Sequence, residues 1–335
     1  MRIFITGIAG FLGANLADHF LKNGHVVAGN DNLVGGLLSN VPKSVRFYNL
    51  SCEDLDGMRK AIEGSDVVVH CAAYAHEGLS VFSPFAITSN IVSGSVSVFS
   101  AAITCNVKRI VFCSSTARYG SIKTPFKESD RPMPQDPYGI AKLAAEDILK
   151  NLAHTHNFEY NIVVPHNIIG IKQRYDDPYR NVASIMVNLM LQNREPIIYG
   201  DGNQKRSFSD VRDCIHSIDK VTLDKNIKNE TINIGPGEDE NFITINNLFE
   251  EISNKLNFNK KPIYYPDRPQ EVKISTCSSE KSRRLLNYKT KYTVSQSLDS
   301  IIDYIKISGV KEFSYDYDIE IKNEKTPETW LKKIF

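Results

Sequence analysis

Two segments carry residue types that could do acid–base chemistry on an alcohol. Ile110-Val111-Phe112-Cys113-Ser114-Ser115-Thr116 is an apolar run ending in hydroxyls, and Tyr138-Gly139-Ile140-Ala141-Lys142 follows it. On a helix, Tyr138 and Lys142 share one face, because residues four apart are surface neighbours. A phenol titrates near pH ~10 and is a poor base at neutrality. A neighbouring ammonium, or another cation, stabilises the phenolate and lowers that value. A serine hydroxyl from the preceding strand end could then hold a substrate hydroxyl against the phenolate. Together these groups form a general-base arrangement for removing a proton while hydride leaves the same carbon. Taken alone, Tyr-x-x-x-Lys also describes an exposed helical pair with no role, so the surrounding elements must decide.

The N-terminal stretch supplies that context. Arg2 to Thr6 reads as a short buried strand, followed by Gly7-Ile8-Ala9-Gly10-Phe11-Leu12-Gly13 and a helix-like segment from Ala14 to Asn23. Gly7 allows a tight turn, Gly10 lets the backbone approach a pyrophosphate, and Gly13 lets the helix pack on the strand. The helix start at Phe11 and Leu12 offers N–H donors to phosphate charge. The spacing is GxxGxxG rather than GxGxxG.

The second strand, His25 to Asn30, ends at Asp31-Asn32. A carboxylate about 20 residues past the glycines suits ribose hydroxyls and repels a 2′-phosphate, which favours NAD over NADP. A solvated turn aspartate is the alternative. Asp66 to Ala73 is a further strand, and Ala72 and Ala73 are small enough for a cofactor to lie close. Ile87 to Cys105 reads as a helix carrying Asn90, either a surface amide or a polar support for the site. Val107 to Ser114 is the next strand. This β-α-β alternation predicts an α/β fold, a Rossmann-type doubly wound parallel sheet.

Composition narrows the function classes. The chain has 335 residues, 41% hydrophobic and 24% charged, as soluble globular proteins do. That length suggests two structural units. A formal net charge of +1 gives no broad field for nucleic acid or an anionic membrane. Six cysteines without CxxC spacing suggest free thiols in a reducing, cytoplasmic setting rather than disulfides or a metal site. No leader and no membrane span is expected.

The ordered set Gly7/Gly10/Gly13, Asp31-Asn32-Leu33, His70-x-Ala72-Ala73, Ser114-Ser115-Thr116-x-x-Tyr119-Gly120 and Tyr138-x-x-x-Lys142 resembles the extended short-chain dehydrogenase/reductase family. That family includes the NAD-dependent nucleotide-sugar epimerases and dehydratases, such as the UDP-glucose 4-epimerases. The resemblance spans about residues 1 to 305. It implies that Tyr138 is the base, that Lys142 is its pKa-lowering and ribose-binding partner, and that Ser115, with Thr116 beside it, meets the sugar O4. It further implies a strand end at Ile162 to Pro165 that reaches the nicotinamide carboxamide, with Cys113 and Asn90 also near the cofactor. Asn167 and Asn181 would contact substrate, and Arg206 and Arg268 would hold the diphosphate of a nucleotide sugar, with UDP favoured. Two guanidiniums suit that anion by charge and bidentate geometry.

In related epimerases an aromatic residue crowds the sugar's C2 substituent. The motif order places that position on Ser275, which implies room for an N-acetyl group. Helices near 88–105 and 139–153 match the family's dimer-forming pair, which implies a homodimer.

Departures from the family pattern are Ser51-Cys52 at the adenine position, Val164-Pro165-His166 in the carboxamide strand, and Arg118 in the Tyr-Gly loop. His166 is either a packed neutral imidazole or a ligand-orienting group. The expected organisation is a nucleotide domain of 1–166 and 204–235, a smaller substrate lobe of 167–203 and 236–307, and a C-terminal extension of 308–335.

The leading functional expectation is C4 epimerisation of a nucleotide-diphosphate sugar through a 4-keto intermediate. A 4,6-dehydratase shares the oxidation, but that group carries Asp-Glu where this chain has Thr116-Ala117. A 4-dehydrogenase or 4-reductase remains open. A non-catalytic dinucleotide-binding protein is disfavoured, because Tyr138, Lys142 and Ser115 are all present.

Overall fold

The computed structural model describes residues 1–335. Its strands are β1 Arg2–Thr6, β2 Val26–Asp31, β3 Arg46–Asn49, β4 Val67–His70, β5 Arg109–Cys113, β6 Glu159–Pro165, β7 Ile168–Ile169, β8 Ile197–Tyr199, β9 Lys205–Ser207, β10 Ser209–Asp210, β11 Glu230–Ile234, β12 Phe242–Thr244, β13 Ile263–Tyr265 and β14 Ile274–Ser275. The helices are α1 Phe11–Lys22, α2 Leu55–Ile62, α3 Glu77–Ser80, α4 Pro84–Thr104, α5 Pro137–His156, α6 Val182–Leu191, α7 Val211–Leu223, α8 Ile245–Leu256, α9 Glu280–Leu286, α10 Val294–Ser308 and α11 Glu328–Leu331.

The main sheet has seven strands in the order β11-β6-β5-β4-β1-β2-β3, and every pairing within it is parallel. Its strands read as continuous apolar runs because both faces are covered. Ile3, Ile5, Val67, Val69, Val111 and Val163 bury one face against α1 and α7. Phe4, Val68, Ile110, Phe112, Ile162 and Val164 bury the other against α2, α4 and α5. The expected doubly wound sheet is present. Strand order reverses between β1 and β4, and such a switch point opens a crevice at the strands' C-terminal ends.

The smaller lobe packs α6, α8 and α10 around a separate core that includes Met186, Phe208, Leu248 and Leu298. Its three-stranded sheet, β12-β9-β14, contains Lys205 to Ser207. β9 follows the boundary expected at residue 204, and the Asp210 carboxylate then caps α7.

α4 spans 21 residues with a mean hydropathy of 1.4, enough by length and composition to cross a bilayer. Here it packs against α2 and α5, with Val98, Phe99, Ala101 and Ala102 fully buried. After α10, residues 309–335 turn back over the crevice, and Tyr317, Trp330 and Phe335 share an apolar cluster with Tyr138 and Tyr179.

Candidate active site

The start of α5 is fixed locally. Asp136 caps it by accepting from the Gly139 N–H at 2.8 Å, and Pro137 presets the first turn. Tyr138 and Lys142 then fall on one face, as the sequence spacing requires. Ser115 follows β5, where its hydroxyl accepts from the Ala117 N–H at 3.2 Å, and it lines the same cavity as Tyr138.

The residues expected from the sequence to meet cofactor or substrate line one cavity of about 490 Å³, and His166 and Arg118 do not. Gly7, Gly10, Phe11, Leu12, Gly13, Asp31, Asn32, Ala72, Ala73, Asn90, Cys113, Lys142 and Pro165, expected to meet the cofactor, all line it. So do Ser115, Thr116, Tyr138, Asn167, Asn181, Arg206, Arg268 and Ser275, expected to meet substrate.

The glycines fit a dinucleotide. Gly7 has φ +68°, and a Cβ there would stand 2.8 Å from the Ala72 Cα. A Cβ on Gly13 would meet the Gly7 carbonyl oxygen at 2.2 Å. α1 has no side-chain cap and no acidic residue in its first turn, so its leading N–H groups face the cavity with their positive dipole unopposed. Asp31, at the end of β2, accepts from the N–H groups of Ala9 (3.1 Å) and Leu33 (2.8 Å). Burial raises its carboxyl from the ordinary range, and those two amides oppose the rise. Asn32 donates to the Tyr74 hydroxyl at 3.1 Å, and Asn90 accepts from the Tyr74 N–H at 2.9 Å. Asn90 is therefore a polar support for the loop after β4. Cys52, at the unusual adenine position, is buried and receives the Asn30 amide at 3.4 Å.

Lys142 behaves differently from expectation. Its Nζ donates to the Cys113 carbonyl at 2.8 Å and lies 6.0 Å from the centre of the Tyr138 ring. Burial lowers the Lys142 ammonium to about 8. The Tyr138 phenol is raised rather than lowered, because burial and the negative charge of Glu77 and Asp136 outweigh the Ser115 hydroxyl and the Arg180 charge. Phenolate formation therefore needs further positive charge close to the ring.

On the substrate side, Arg268 makes two hydrogen bonds to Glu271, both at 3.2 Å, and stacks 4.8 Å over the Tyr199 ring. Arg206 reaches the same carboxylate at 3.7 Å. Both guanidiniums are thus held side by side. Asn181 caps α6 through the Ala183 N–H, and Asn167 donates to the Ser207 carbonyl at 3.3 Å. Ser275 is buried, with its hydroxyl 3.2 Å from His166 Nε2. His166 is fully buried and driven down to about 3 by desolvation, so it is a packed neutral imidazole. Arg118, for which the sequence offered no account, forms a buried ion pair with Glu146 at 3.1 Å. Glu146 also receives the Ser114 hydroxyl, which ties α5 to the end of β5.

The family profile described as the NAD dependent epimerase/dehydratase family matches residues 3–235. The chain belongs to this family.

Among relatives of this NAD-dependent epimerase/dehydratase, a putative UDP-glucose 4-epimerase of Methanocaldococcus jannaschii is 31% identical over 310 residues. That match covers 91% of this chain and 98% of the relative. The crystal structure of UDP-glucose 4-epimerase from Thermotoga maritima, with UDP-glucose, superimposes with a TM-score of 0.86 at 30% identity, covering 92% of this chain and 99% of that one. UDP-glucuronic acid 4-epimerase from Bacillus cereus, in complex with UDP-glucuronic acid and NAD, superimposes with a TM-score of 0.84 at 26% identity, covering 92% and 100%.

Sequence reasoning missed several residues of the epimerase/dehydratase cavity. Glu77, Tyr74, Tyr179 and Phe335 all line it. None belongs to a fixed-spacing motif, and Phe335 reaches the cavity only because the C-terminal segment folds back.

Proposed function

We propose that the protein epimerises a UDP-hexose at C4. The observation that carries this reading is that Tyr138 and Ser115 share one cavity with the paired Arg206 and Arg268. A diphosphate held by the two guanidiniums leaves the sugar facing the phenol. When bound, NAD supplies the hydride acceptor for C4 and a positive ring that favours the phenolate. Tyr138 then removes the O4 proton while Ser115 holds that oxygen. The 4-keto sugar turns in the cavity, and hydride returns to its opposite face with no net redox change.

Thr116 and Ala117 stand where a dehydratase needs carboxyl groups, which favours epimerisation over loss of water. Ser275, a small side chain in the cavity wall, leaves space beside the sugar, so N-acetylhexosamine nucleotides are included as substrates. The deciding assay incubates purified protein with UDP-, GDP-, dTDP- and CDP-hexoses, with and without an acetamido group, and resolves products by NMR. Formation of the C4 epimer from UDP-sugars is expected. A 4-keto or deoxy product would overturn the reading.

The chain is further proposed to pair through α4 and α5. α4 keeps Phe85, Val96 and Ile103 at least partly open. Light scattering should give twice 37.7 kDa, and Val96→Arg should halve it. Its six free cysteines suit a reducing compartment such as the cytoplasm.

A further inference from the structure

A carboxyl that no motif predicted stands on the sugar side of the cavity. Glu77 opens α3, a single turn whose Ser80 hydroxyl receives the Tyr138 N–H at 3.2 Å. This contact fixes α3 to the start of α5, beside the phenol. Glu77 lines the cavity and is open to it. The other charged side chains lining the cavity are committed: Asp31 and Asp136 to backbone N–H groups, Lys142 to the Cys113 carbonyl, Lys172 to Asp18, Arg174 to Asp176 and Asp316, Arg180 to Asp177, and Arg206, Arg268 and Glu271 to one another. The Glu77 carboxyl makes no ion pair and no hydrogen bond.

Glu77 shares the cavity with Tyr138, Arg206 and Arg268. A Cβ on its neighbour Gly78 would stand 3.4 Å from Arg268 Nη1, and Ser80 of the same turn holds the Tyr138 N–H, so the turn that carries Glu77 touches both the base and a guanidinium. Desolvation and Asp136 raise the Glu77 carboxyl to about 7. At pH 8.5 it is largely ionised.

We propose that Glu77 determines sugar specificity, accepting hydrogen bonds from a neutral hexose and excluding nucleotide sugars that carry a carboxylate. The inference rests on reading the cavity as a nucleotide-sugar site. Related enzymes act on both kinds of sugar, since glucose and glucuronic acid 4-epimerases are both similar to this chain. Two like charges about 6 Å apart at an effective dielectric near 20 give a discrimination of ~100-fold.

The test measures kcat/KM for UDP-galactose and UDP-glucuronic acid at pH 8.5 in wild type, Glu77→Gln and Glu77→Ala. Binding of UDP alone is measured by calorimetry. Wild type should prefer the neutral sugar by ~100-fold. Both variants should shrink that ratio at least tenfold, mainly by gaining the uronate, while binding UDP as wild type does. If a variant loses turnover, the same ratio is read from the Kd values of the two UDP-sugars. A ratio unchanged in both variants, with UDP binding intact, overturns the role of Glu77 alone. Failure of wild type to bind UDP overturns the nucleotide-sugar reading and this inference with it.

Discussion

The phenol of Tyr138 is the proposed base, and its surroundings explain why it would need help. It is buried, with Glu77 and Asp136 adding negative charge, so it holds its proton in the protein alone. Tyr138→Phe removes only the oxygen assigned to proton transfer. Steady-state kinetics should show a loss of ~10²–10⁴-fold, with the thermal midpoint essentially unchanged. Activity near wild type would remove Tyr138 from that role. Gly7 is a second residue whose identity is dictated physically. At φ +68°, with the Ala72 Cα 2.8 Å from any added Cβ, alanine meets both backbone strain and a backbone clash. Gly7→Ala should cost about 1–3 kcal/mol in urea unfolding and weaken NAD binding in calorimetry. These residues were legible in the sequence because a backbone turn or a cofactor's approach fixes residue type at a set offset. Glu77 was not legible. Nothing near it in the chain tells a reader that α3 docks on the start of α5.

At the scale of elements, the seven strands and their flanking helices follow from apolar runs punctuated by glycine, asparagine and aspartate. The small lobe was harder to read, because its strands are two or three residues long and draw their partners from distant segments. β9 illustrates this: its Arg206 motif is recognisable, yet nothing near it in the chain shows that it pairs with β12 and β14. The C-terminal segment was least legible, since its aromatic residues follow no period. They are placed by contacts with Phe82 and Tyr179, which pack edge-on to Trp330 at 6.0 and 5.1 Å between ring centres. Tyr199 also shares a 2.6 Å hydrogen bond with Thr329. Trp330→Ala should destabilise the protein by about 3–5 kcal/mol. It should also raise KM for the nucleotide sugar more than it changes the Kd for NAD, because Trp330 packs on Tyr179 and its neighbour Thr329 bonds to Tyr199, the ring beneath Arg268. Equal effects on both would contradict that placement.

Across the whole molecule, buried histidines set the acid limit. His70 is held between the hydroxyls of Thr6 and Ser95 at 2.6 and 2.9 Å, and both it and His166 are fully enclosed. Each is driven from 6.5 to about 3, so the folded state binds their protons far more weakly than the unfolded chain does. Their contribution is complete above pH 6.5 and is lost as pH falls toward 3. Each should cost ~1.4 kcal/mol per pH unit across that window. Urea midpoints taken at pH 7, 6 and 5 should therefore fall steeply, and His166→Gln should make the decline shallower. A flat profile would mean that these imidazoles are already charged in the native state.

The fold-back of residues 309–335 has a consequence for how the enzyme comes into being. The first six strands of the main sheet lie within the first half of the chain and can form while the rest is still being translated. The aromatic wall beside Tyr138 cannot, because Tyr317, Trp330 and Phe335 leave the ribosome long after the base they enclose. A nascent chain thus acquires its nucleotide-binding half first and its enclosed sugar pocket last. A product released short of Trp330 would still take up the cofactor, and it would leave the reactive centre open to water.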